Sequence, residues 1–99
     1  MELTPERKGL LLAYCRLDGE ELTEEEHGLL ELFFHSAVDY VGISEPTERG
    51  RRAKFDLVVN AMVLDSWDHR DMKEYTPTLP NPALRNLLNQ LKLTEVGST

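Results

Sequence analysis

Apolar positions along the chain fall into four groups, separated by polar or proline-containing stretches. The densest is Lys54–Arg70, KFDLVVNAMVLDSWDHR, where only Asn60 interrupts the run from Leu57 to Leu64. At helical spacing Phe55, Val58, Val59, Met62, Val63 and Trp67 form one broad stripe, and Leu57, Ala61 and Leu64 form a second on the opposite side. A buried strand through LVVNAMVL competes, because valine is stiff at its first torsion and favours strands. Length decides for a helix, since the pattern continues through Trp67 without a turn signal. A helix apolar on both sides is expected to be buried on both sides, with the other elements packed around it.

The remaining groups each carry a start signal. Thr4 can cap a first helix, with Pro5 at its first position and Glu6 complementing the dipole. Leu10, Leu11 and Tyr14 give it an apolar face up to about Cys15, and the turn signal Asp18-Gly19 follows. Thr23 with Glu26 makes a capping box for a second helix, with Glu24 and Glu25 in its first turn. That helix carries Leu29, Leu30, Phe33, Phe34, Ala37, Val38 and Val41 at three- and four-residue spacing. Gly42 sits where a left-handed cap closes it. SEPTERGRR, Ser44–Arg52, reads as a loop into the central helix. Residues 74–82, EYTPTLPNP, exclude a helix and predict an ordered arm or a short hairpin anchored by Tyr75 and Leu79. Asn81-Pro82 then starts a short last helix striped by Leu84, Leu87, Leu88 and Leu91.

The expected fold class is therefore all-α. It is a small four-helix domain with two long helices, a short N-terminal helix and a proline-rich arm before a short last helix. One domain covers residues 1–93, and residues 94–99 are expected to form a flexible tail. At 99 residues and 40 % hydrophobic, such a domain buries a modest core, which leaves room for self-assembly.

Charge narrows the function. The formal net charge is −7, from 18 acidic and 11 basic residues. A general nucleic-acid binder needs a basic patch to displace counterions, so that class is disfavoured, while repelling or imitating DNA is compatible. The single cysteine, Cys15, cannot form an internal disulfide. No signal peptide or membrane span is expected, and the reading is a soluble protein made in a cytoplasm.

Candidate chemistry is sparse. His27, His35 and His69 do not share a helical face with further ligands, which argues against a zinc or iron site. Asp65, Asp68 and Asp71 with His69 form the nearest approach to a cation site for nuclease chemistry. A helix end tied by local pairs such as Asp65 with His69 is the preferred reading. Cys15 beside Tyr14 on an apolar helix reads as a buried small residue, not a nucleophile. Gly42 and Gly50 are separate turn glycines and make no phosphate cradle. No enzyme and no cofactor or metal is expected. Trp67 on its apolar stripe reads as a core anchor. Arg49, Arg51 and Arg52 form a small basic patch expected to meet carboxylates of a neighbour.

Four pieces in order carry a family resemblance. They are a short capped helix ending Arg16-Leu17-Asp18, an acidic-start long helix reaching Ala37 and Val41, a central helix ending Asp65-Ser66-Trp67-Asp68-His69-Arg70, and Leu79-Pro80 before a leucine-rich last helix. Over about residues 3–93 the chain resembles the small head–tail connector proteins of tailed bacteriophages, the HK97 gp6-like family, also called DNA-packaging or head-completion proteins. That family usually has Tyr at the position of Trp67, a change that keeps an aromatic ring there. The resemblance implies a structural virion protein: a cyclic homo-oligomer, a twelvefold ring, docked on the portal protein. Such a ring extends the DNA channel, lets DNA pass without specific binding, and offers a platform to the tail or a second connector. It implies location at the head–tail junction of the virion, after assembly in the host cytoplasm. On this reading Arg16 or Arg70 is expected to pair with Asp18 or Asp68 and latch the first helix to the end of the central one. Ring contacts are expected on the second helix's charged face, the Arg49–Arg52 patch and the arm bearing Glu74 and Tyr75. The alternative is a small acidic inhibitor or regulatory protein that binds a host protein, as a DNA mimic for example.

Overall fold

The computed structural model describes residues 2–42, 46, 48–70 and 81–96, with side chains through residue 93. Its elements are α1 (Pro5–Tyr14), α2 (Glu24–Val41), α3 (Arg49–Asp68) and α4 (Pro82–Val96), with no strand among the described residues. The chain is a small all-α, four-helix domain.

Local chemistry explains most of the boundaries. Thr4 caps α1, its hydroxyl accepting from the Arg7 amide at 3.2 Å, and Pro5 occupies the first turn. The helix closes at Arg16, whose φ of 57° is left-handed. There the Arg16 amide donates to the Ala13 carbonyl at 3.2 Å and the Leu17 amide to the Leu12 carbonyl at 2.9 Å. These two bonds are a Schellman closure with arginine in the position usually held by glycine. The chain thus leaves the helix just before the Asp18-Gly19 turn signal. Gly19 lies tight against α1 and α2. A Cβ there would lie 3.1 Å from Leu12 Cδ1, and His27 Nε2 donates to the Gly19 carbonyl at 2.8 Å.

The capping box of α2 is complete: Glu26 N–H donates to Thr23 Oγ1 at 3.1 Å and Thr23 N–H to Glu26 Oε1 at 3.0 Å. Gly42, at φ 69°, closes α2 as expected. Asn81 caps α4, accepting from the Ala83 amide at 2.9 Å.

Two boundaries differ from expectation. α3 starts at Arg49, inside the stretch read as a loop, and α4 runs to Val96, inside the stretch read as a flexible tail. The arm, residues 74–80 with Glu74 and Tyr75, lies outside the described residues.

α3 is the hub. It packs against each of the other three helices and contributes Phe55, Val58, Val59, Met62, Val63, Ser66 and Trp67 to the interior. Leu11 and Cys15 meet this stripe from the N-terminal side, Leu30, Phe34, Ala37 and Val41 from α2, and Leu88 and Leu91 from α4. Burial on the second side of α3 is incomplete: Ala61 and Leu64 are half-buried, and Leu57 is 40 % exposed. The expectation of burial on both sides is therefore met on one side only. The smallest dimension of the domain, 19 Å, is about two helix diameters. A two-layer arrangement of this kind leaves the outer side of α3 without a full cover.

Long-range polar contacts fix the helix directions. Arg51 Nη2 donates to the Leu91 carbonyl at 3.1 Å, and Lys92 Nζ lies 6.0 Å from the Tyr40 ring centre. The start of α3 therefore meets the late part of α4 and the end of α2, so both run antiparallel to α3. Arg7 Nε lies 3.8 Å from Asp56 Oδ1, while the charge of Asp68 acts on Cys15, so α1 runs parallel to α3. The Arg7–Asp56 contact was not anticipated from the sequence. Arg7 is only 7 % exposed because it occupies the face of α1 that also carries Leu11 and Cys15, at four-residue spacing.

Candidate functional site

The domain has two chemically distinct ends. At the first, the end of α3 meets the end of α1 and the start of α2. Trp67 is buried there, as its place on the apolar stripe predicts. Arg70 reaches back over it: the guanidinium carbon lies 4.3 Å from the indole centre and Nη1 donates to the Trp67 carbonyl at 2.8 Å. This stacking satisfies an orphan carbonyl at a helix C-terminus and adds a cation–π contact. The expected latch to Asp18 or Asp68 is thus replaced. Arg70 acts on Trp67 and, through its field, on Glu26 across the gap to α2. Asp18 instead closes a local turn, its Oδ1 accepting from the Glu20 amide at 2.9 Å. Arg16 supplies the left-handed residue that ends α1.

Three titratable groups at this end read clearly. The Thr23 backbone N–H holds the Glu26 carboxyl below its ordinary value, with Arg70 and His27 adding smaller pulls. Burial, reinforced by Asp68, pushes the Cys15 thiol up to about 11, so it stays protonated and unreactive near neutrality. His69 Nδ1 donates to the Asp65 carbonyl at 2.8 Å and sits 3.7 Å from its Oδ1. The acidic cluster at the end of α3 is therefore tied locally by Asp65 and His69. Among the described residues no group of three or more His, Cys, Asp or Glu side chains converges to hold a metal ion, and Asp71 lies outside them. No helix there is long and apolar enough to cross a membrane.

At the second end α3 begins without a side-chain cap on Glu48 and without an acidic residue in its first turn. Arg49, Arg52 and Lys54 are exposed and Arg51 half-buried. Arg51, Lys54, Gln90, Leu91 and Glu48 line a shallow cleft of about 370 Å³ between α3 and α4. Tyr40, 55 % exposed under Lys92, and Leu93, 77 % exposed, lie toward the same end of the domain.

Sequence reasoning named the basic patch and the acidic start of the second helix but did not place them at opposite ends. Asp18, Glu20, Glu21, Glu24, Glu25, Glu26 and Glu31 lie in one stretch that holds no lysine or arginine. Their seven charges equal the whole net charge of −7. Residues 49–54, RGRRAK, carry four positive charges and no acid. Because α2 and α3 are antiparallel, the acidic stretch and the basic stretch fall at opposite ends of the helix pair.

Compared with known proteins, the chain matches no family model, no curated protein and no solved structure.

Proposed function

We propose that the chain is a structural subunit of a phage head–tail connector: a ring-forming protein that docks on the portal, extends the DNA channel and receives the tail. The observation that carries this reading is that every helix presents a large apolar side chain to solvent. Leu10 lies on α1, Leu32 and Tyr40 on α2, Leu57 on α3 and Leu93 on α4. Single exposed apolar side chains are ordinary on a monomer. The weight falls on Leu57, which belongs to the second apolar stripe of α3 that the domain leaves only partly covered, as suits a subunit completed by neighbours. The order of the four sequence pieces supports the same reading. An acidic surface also suits a channel wall along which DNA slides without adhering. In the virion the protein would sit at the head–tail junction.

The clustering of seven carboxylates favours one other reading, an acidic inhibitor that imitates the phosphates of DNA and binds a basic host protein. Native mass spectrometry at high concentration, with and without a phage portal protein, separates the two. Rings, or binding that requires the portal, support the connector. A monomer or dimer indifferent to the portal contradicts it and favours the inhibitor.

A further inference from the structure

We infer that α1 is a detachable strap: the chain up to Arg16 lifts off α3 and melts as a unit while α2, α3 and α4 stay packed. This opening is a property of the single domain and is independent of the connector reading.

Several features make α1 the weakest member of the bundle. It has 10 residues against 18 in α2 and 20 in α3, and a helix that short does not hold alone in water. Of the buried apolar side chains among the described residues, only Leu11 and Cys15 come from α1 and its end. The third buried side chain there is the charged Arg7, 7 % exposed and paired with Asp56 at 3.8 Å. A buried ion pair recovers little of the free energy lost in taking both charges out of water. Gly9 stands mid-helix although a Cβ there would meet nothing within 4 Å, so packing does not require the glycine that weakens the helix. Arg16 holds φ at 57°, the one non-glycine residue with positive φ among the described residues, a conformation that strains an L side chain.

The break falls at Arg16. Beyond it the chain is anchored on α2, where His27 Nε2 donates to the Gly19 carbonyl at 2.8 Å and Thr23 and Glu26 exchange capping bonds. The buried side chains of α2, α3 and α4 form most of the core, so it persists when α1 leaves. Opening puts the Arg7 charge into water and frees Arg16 from its left-handed backbone. Against these gains stands the burial of Leu11 and Cys15. Segments with so few buried apolar contacts open before the domain as a whole does. What the opening uncovers is the side of the α3 stripe that Leu11 and Cys15 meet.

The single cysteine of the chain reports the opening. Cys15 is buried and its thiol is pushed up to about 11, so it does not react in place and is labelled by an aromatic disulfide reagent only when α1 lifts. The test is the labelling rate of the folded full chain in three variants, with urea denaturation of each to measure global stability. Thr4→Ala, which removes the cap of α1, is expected to speed labelling about fivefold. Gly9→Ala is expected to slow it about fivefold. Thr23→Ala, which removes the cap of α2, is expected to lower the urea midpoint and leave the labelling rate unchanged. If Thr23→Ala speeds labelling as much as Thr4→Ala does, Cys15 is reached only by unfolding of the whole domain and the inference is overturned. A Gly9→Ala rate equal to wild type overturns it as well, because α1 is then not what opens. Wild-type labelling as fast as that of an unstructured cysteine peptide also overturns it, since the thiol is then open at rest.

Discussion

Helices α2 and α3 are neighbours of similar length that begin in opposite ways. α2 opens with a reciprocal Thr23–Glu26 capping box and three acids in its first turn, each aligned with the helix dipole. α3 opens on Glu48 with no side-chain cap and with arginines opposing the dipole. Contacts with the rest of the domain help hold α3's start, among them two that are clear. Phe55 is fully buried one and a half turns in, and Arg51 is bonded to the Leu91 carbonyl. The comparison teaches that α2's start is written for stability and α3's start is written against it, tolerated because the core and α4 hold it. Features that oppose local stability are where function is to be sought.

The largest expected effect comes from removing what holds the weaker start. Phe55→Ala should destabilise the domain by about 3–5 kcal/mol, read by urea denaturation, and should release the first turns of α3 to hydrogen exchange before those of α2. A cost under about 1 kcal/mol would mean that α3's start is held from elsewhere. Next in size is Thr23→Ala, expected to cost about 1 kcal/mol by removing one half of the box. The corresponding change in α3, Glu48→Ala, should cost less, about 0.3–1 kcal/mol, because Glu48 makes no cap hydrogen bond and only its charge near the helix dipole is lost.

Similar in size and opposite in sign, Arg49→Glu should raise stability by roughly 0.3–1 kcal/mol at low ionic strength, since it turns an opposing charge into a favourable one. The smallest effect is a pH dependence at Glu26. The folded Glu26 carboxyl lies below its ordinary value of 4.5, so its contribution is present above 4.5 and lost as pH falls through the lower folded value. The stability difference between wild type and Glu26→Gln should therefore shrink on acidification below 4.5.

The same contrast explains what the sequence made legible. Thr23, Glu26, Gly42 and Asn81 act within four residues of themselves, and the elements they bound fall where pattern reading places them. The start of α3 was hidden because RGRRAK has no apolar period and its neighbour Glu48 gives no capping signal. Its helicity is imposed from Phe55 onward and from α4. Arg7 was hidden for the converse reason, a charged residue lying on an apolar face. At the candidate sites, Trp67 was readable as a core anchor and the Asp65–His69 tie as a local pair. The role of Arg70 was not, because cation stacking on the ring three residues earlier competes with ion pairing and sequence spacing cannot rank them.

The central claim is that α3's start is held by the core and by α4 and not by a cap of its own. Its most direct measurement is hydrogen exchange on the Phe55→Ala variant, comparing the first turns of α2 and α3. The account predicts that protection is lost at the start of α3 while the start of α2 keeps it. Equal loss at both starts, or no loss at α3, would contradict it.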